Sequence, residues 1–102
     1  MEVPDRFRGY PCESYFRSPL AEQGHWDEAA QIWLMLPAGE VIERPERELL
    51  VVGRPGFDGL EWGFRKGYKG VWIYYPIDDE FQYLALTAQS FLEGWLSGAI
   101  KV

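Results

Sequence analysis

A chain of 102 residues has material for one hydrophobic core and little beyond it, so it reads as a single domain. Sixteen acidic against ten basic side chains give a net charge of −6, which sets the molecule as a whole against polyanions and toward basic proteins. Cys12 is the only cysteine, which excludes an intrachain disulfide or a thiolate metal cluster within one copy.

Apolar runs such as Ile32 to Leu36 fall far short of the roughly 20 residues that cross a bilayer. The first eight residues hold no apolar segment of a secretory leader, so the expected address is cytoplasmic. The core has ample material in five Trp, six Tyr and six Phe, since each buried ring removes roughly 150–250 Å² from water.

Residues 1–30 read as an irregular N-terminal arm. Pro4, Pro11 and Pro19 interrupt any steady period, while Phe7, Tyr10, Tyr15 and Phe16 are too many aromatics for a solvated tail, so the arm is expected to lie on the domain. Between Leu20 and Ala30 the pattern stays open: Asp27 to Ala30 is compatible with a helix start, and Gly24 breaks the segment before it. Gln31 to Leu36 is a short apolar run stopped by Pro37, which favours a strand, and Pro37 to Glu43 fits one helical turn with Pro37 at its first position.

Glu46 to Gly53 reads as a strand centred on Leu49–Val52, closed by Pro55-Gly56 and Asp58-Gly59 turn chemistry. Leu60, Trp62 and Phe64 then share one face of an extended segment, as do Val71, Ile73 and Tyr75 of the next, with a Gly-containing polar joint between them. A turn with three adjacent carboxylates, Asp78, Asp79 and Glu80, precedes a strand from Phe81 to Leu86. Thr87 is placed to cap a helix in which Ala88, Phe91, Leu92, Trp95 and Leu96 form one apolar stripe, ending at Gly98. The expected class is α+β: an antiparallel-type sheet of about five strands with the C-terminal amphipathic helix packed on one face.

Three stretches carry a family resemblance: Gly53-Arg-Pro-Gly-Phe-Asp-Gly-Leu-Glu-Trp-Gly-Phe, Gly70-Val-Trp-Ile-Tyr-Tyr-Pro-Ile, and Ser90-Phe-Leu-Glu-Gly-Trp-Leu-Ser-Gly after the strand to Leu84-Ala85. With the Leu36-Pro37 and Glu40-Val41 steps, residues 31–102 resemble the sheet and closing helix of the SUKH superfamily, typified by a yeast cell-wall assembly regulator and populated by bacterial immunity proteins. Members carry a longer helical segment ahead of the sheet than this chain offers in residues 1–30. The resemblance implies a non-enzymatic inhibitor that covers a cognate toxin domain, and it brings no catalytic residue set and no cofactor.

The residues themselves point the same way. His25 is the only histidine and has no neighbouring nucleophile, so it reads as a packing or surface residue. Asp78, Asp79 and Glu80 lack the spacing of a calcium loop and read as a solvated turn, although a carboxylate-dependent enzyme built on them is an alternative. Gly53, Gly56 and Gly59 match no phosphate-binding motif and read as a turn. Arg65, Lys66 and Lys69 around Tyr68 suggest a stacking platform for single-stranded nucleic acid, against which the net charge stands.

Trp72 and Tyr74 point away from Val71, Ile73 and Tyr75, and are either an exposed interface or shielded by the N-terminal arm. The expected partner surface comprises Glu43, Glu46, Glu48, Asp58, Asp78, Asp79 and Glu80 for a basic protein, with Trp72 and Tyr74 as apolar anchors. A homodimeric structural or regulatory module, paired through its sheet face, is the alternative of another class. No catalytic or metal-binding residue is assigned.

Overall fold

The computed structural model describes residues 5–7, 9–29, 31–56 and 59–100. Its centre is a five-stranded antiparallel meander in the order β3-β4-β5-β6-β7, formed by Ile42–Arg44, Leu49–Gly53, Glu61–Arg65, Val71–Tyr75 and Glu80–Ala85. A separate hairpin pairs β1, His25–Asp27, with β2, Ile32–Met35. Among the described residues three α-helices complete the α+β architecture: α1, Glu13–Arg17; α2, Pro19–Gln23; and α3, Ala88–Ser97. Among the described residues no helix is long and apolar enough to cross a membrane.

The apolar run before Pro37 is a strand, yet the fifth strand of the main sheet is Ile42–Arg44, three residues too short and too charged to show a period. Both segments share one edge of β4. Ile42, Glu43 and Arg44 pair with Val51, Leu50 and Leu49. Beyond them, the Leu36 N–H donates to the Val52 carbonyl at 2.7 Å and the Arg54 N–H to the Trp33 carbonyl at 3.4 Å, so β2 takes the length of edge that β3 leaves. Gly53 permits this approach. A Cβ there would stand 1.8 Å from the Leu34 carbonyl oxygen and 2.3 Å from the Trp62 indole nitrogen, which itself donates to Leu34 O at 2.7 Å.

Among its described residues, the arm expected to be irregular holds the two short helices α1 and α2 and then strand β1. Pro19 opens α2 at its first helical turn, where a missing N–H costs nothing. Gly24 ends it in a positive-φ conformation with its N–H on Leu20 O. Phe7, Tyr10, Tyr15 and Phe16 are all buried, and so is Cys12. Tyr15 donates its hydroxyl to the Leu36 carbonyl and packs its ring against Phe64.

Helix α3 follows its sequence signals closely. Thr87 Oγ1 accepts the Ser90 N–H at 3.0 Å, and Gly98 closes the helix in the left-handed region with its N–H on Trp95 O. Its apolar stripe places Phe91 and Trp95 edge-on to Trp62, at ring separations of 4.5 and 5.0 Å. Leu50, Val52, Leu60, Trp62, Phe64, Val71 and Ile73 therefore meet both α3 and the arm in one core. Two layers result among the described residues, with α1, α2 and α3 on the same side of the sheet as that core.

Candidate functional site

Strand alternation sends the other set of side chains to the uncovered face. Across the ladder these are Ile42 and Arg44 on β3, Leu49 and Val51 on β4, Glu61, Gly63 and Arg65 on β5, Trp72 and Tyr74 on β6, and Phe81 and Tyr83 on β7. The arm, with Phe7, Tyr10, Tyr15 and Phe16, lies on the core side, so it does not shield Trp72 and Tyr74.

One half of this face is closed by its own charges. Glu61, only 6% exposed, accepts from Arg44 at 2.8 and 3.3 Å and from Arg47 at 3.2 Å. Because Arg44 sits on β3 and Glu61 on β5, the ion network bridges β4 and overlies Leu49 and Val51, which are fully buried. The pairing holds the Arg44 guanidinium still more firmly protonated than usual, first through its hydrogen bonds to Glu61. Arg47 also lies 4.3 Å from the Tyr74 ring centroid. Tyr74 in turn donates to Asp79 Oδ1 at 2.6 Å and packs on Phe81, so it belongs to a small second core. Its phenol is pushed up, chiefly by that hydrogen bond.

The other half is open. Arg65 runs diagonally over the sheet, its guanidinium carbon 4.0 Å from the Tyr68 ring centroid, 4.8 Å from Trp72 and 4.0 Å from Phe81. Trp72 is wedged edge-on between Tyr68 and Tyr83 at 5.7 and 5.6 Å and is fixed by its indole N–H on the Lys69 carbonyl at 2.8 Å. Tyr68 and Tyr83 leave half of their surface in water, 50% and 52%. Beside them a shallow cleft of about 300 Å³ lies between the arm and the β5–β6 turn, lined by Gly9, Tyr10, Pro11, Gly67, Tyr68 and Lys69. Among the described residues, Arg65, Lys66 and Lys69 have no carboxylate at ion-pair distance.

The expected acidic residues do not form one patch. Glu43 lies on the core side of β3, where its carboxylate accepts the Tyr10 hydroxyl at 2.8 Å. Glu46 and Glu48 are exposed at the strand end where Arg65 sits, while Asp78 and Glu80 are exposed at the opposite end. Asp79 is spent on Tyr74, and Asp58 lies outside the described residues. Of the two aromatic anchors, Trp72 flanks the open surface and Tyr74 is buried.

Sequence reasoning missed the Arg44–Glu61–Arg47 network and the exposed Tyr83. Glu61 carries a usable signal, being a lone acid inside the apolar run Leu60 to Phe64, where a buried carboxylate requires cationic partners. His25 is half-buried on the β1–β2 hairpin opposite Met35, and burial pushes the Cys12 thiol up to about 11. Among the described residues no group of three His, Cys, Asp or Glu is placed to hold a metal ion. Compared with protein-family models, with curated proteins and with solved structures, the chain matches none.

Proposed function

We propose that this chain is a cytoplasmic, non-enzymatic protein-binding module of the SUKH immunity type, which neutralises a cognate toxin domain by covering it with the open face of its sheet. One observation carries the reading: α1, α2 and α3 pack on one side, leaving on the other a surface of half-exposed aromatic rings around an arginine with no ion-pair partner among the described residues. Aromatics with two χ angles, already wedged against one another, lose little freedom on binding, which is what makes them effective interface anchors. The net charge of −6 adds long-range attraction to a basic partner.

The test is capture of partners from native cells by the tagged wild type and by a Tyr68→Ala/Tyr83→Ala variant, at low and raised salt. A single partner in near-equal amount, toxic when produced alone and lost with the variant, supports the proposal. Equal capture by the variant overturns the assignment of the face. A self-associating module is the second reading, favoured by the outer edge of the six-residue strand β7, which pairs with no other strand among the described residues. A solution mass of twice the chain, with no foreign partner, would select it.

A further inference from the structure

The ionic groups of the open face are unevenly matched. Arg44 and Arg47 share the single carboxylate of Glu61, whereas Arg65 at the other corner has rings for neighbours and no acceptor for its N–H groups among the described residues. Lys66 and Lys69 follow it on the β5–β6 turn, both exposed and neither ion-paired among the described residues, Lys66 being turned toward the arm with its ammonium 5.6 Å from the Tyr10 ring centroid. A cationic corner thus stands on an acidic molecule. From this charge complementarity we infer that the corner docks a carboxylate-bearing segment of the partner protein, an acidic side chain meeting Arg65 while an adjacent aromatic or aliphatic residue packs on Tyr68 and Tyr83. The inference rests on the protein-binding reading and specifies its local chemistry, which is opposite in sign to the molecule's long-range field.

Two features favour this occupant. A guanidinium held against Tyr68 and Phe81 is already ordered, and its planar fork suits bidentate pairing with a carboxylate, so less freedom is lost on contact than for a solvated lysine. The patch is also small and bounded by acid: exposed Glu46 and Glu48 lie at the same strand end, and the Lys66 N–H donates to the Glu48 carbonyl at 3.0 Å. A phosphate chain leaving the corner would run into those carboxylates, whereas one or two carboxylates on a folded protein need not.

The experiment is a titration of isotopically labelled full-length protein, followed by the Trp72 indole and Arg65 Nε–H resonances. The probes are the blocked peptide Glu-Trp-Glu, its Gln-Trp-Gln and Lys-Trp-Lys counterparts, and deca-thymidylate. Glu-Trp-Glu should move both resonances and bind about tenfold more tightly than Gln-Trp-Gln, since charge-assisted hydrogen bonds are roughly twice as strong as neutral ones. Arg65→Gln should remove that preference and Arg65→Lys should restore part of it, with the remaining spectrum reporting an intact fold.

Equal binding of the three peptides, tighter binding of deca-thymidylate, or no movement at Trp72 up to about 10 mM peptide would overturn the inference. If a captured partner requires Tyr83 yet binds Arg65→Gln as well as wild type, the corner inference fails while the protein-binding reading survives. Undiminished capture by both variants overturns the corner inference and the assignment of the face together.

Discussion

Replacing Glu61 by glutamine keeps the shape of the side chain and removes the charge that two arginines share. Truncating one partner of a fully buried ion pair costs about 3–5 kcal/mol, because the remaining charge is left desolvated. Here Glu61 is 8% exposed at its side chain, but Arg44 and Arg47 are 36% and 30% exposed, so water takes up part of the loss. Discounting for that screening gives an expected destabilisation of about 2 kcal/mol. For a domain of this size it corresponds to a fall in melting temperature of roughly 8–16 °C.

Urea and thermal unfolding of wild type and Glu61→Gln measure it directly. The triple variant Glu61→Leu/Arg44→Met/Arg47→Met supplies the counterpart, since removing all three charges together should leave stability within about 1 kcal/mol of wild type. A Glu61→Gln change below about 0.5 kcal/mol would refute the reasoning. It would mean that solvent already screens the network and that Leu49 and Val51 are kept dry by something else.

Gly53→Ala should cost about 3 kcal/mol or more, because the new methyl collides with the Leu34 carbonyl and displaces the Trp62 indole that bonds to it; chemical denaturation with tryptophan fluorescence reads both the loss and the altered indole environment. The Cys12 thiol, buried and held at about 11, should resist an aromatic disulfide reagent at pH 8 and react fully once the chain is unfolded in guanidinium; fast reaction of the native protein would contradict its placement.

Stability should also fall in alkali. Tyr10 and Tyr15 are pushed up first by burial, and Tyr74 first by its bond to Asp79. With folded-state values above the unfolded ones, these groups contribute fully below the unfolded pKa of about 10, and the contribution drains away as pH rises beyond it. Cys12 adds the same sign from about pH 9, so urea midpoints at pH 7, 9 and 10.5 should descend, and Tyr15→Phe should flatten the last step.

Helix α3 and strands β5 to β7 were legible because each carries a local signal: a Thr cap and Gly stop with an apolar stripe between them, and alternation that puts Trp62, Phe64, Val71 and Ile73 on one side. The short elements were not. Helices α1 and α2 have five residues each and cannot display a helical period, so Pro4, Pro11 and Pro19 read as marks of an irregular arm when Pro19 in fact starts a helix. Ile42–Arg44 owes its strand to the edge of β4, a long-range cause.

For the site, the opposing orientation of Trp72 was readable from alternation, while the direction from which the arm arrives was not. The expected acidic surface failed to assemble for the same reason. Glu43, Glu46 and Glu48 are close in sequence to one another and far from Asp78 to Glu80, and the meander places the two groups at opposite ends of its strands, with Glu43 turned inward.

The burial of the arm against the far half of the chain has a consequence for synthesis. Tyr15 emerges from the ribosome early and then waits for Phe64, and α1 waits longer still for α3, the last of the described elements. During that interval the hairpins of the meander can pair and the arm can meet Phe64, but Trp62 lacks the Phe91 and Trp95 rings of α3 that cover it. Docking of both ends is therefore a late, non-local step, slow by the entropy of closing so large a loop, and the nascent chain passes through a stage with one sticky side. A holding chaperone should bind stalled chains that end before Ala88 and release those that extend through Gly98. Joining the two ends in a circular permutant opened at the β6–β7 turn should speed folding, because it makes the contact between α1 and α3 local.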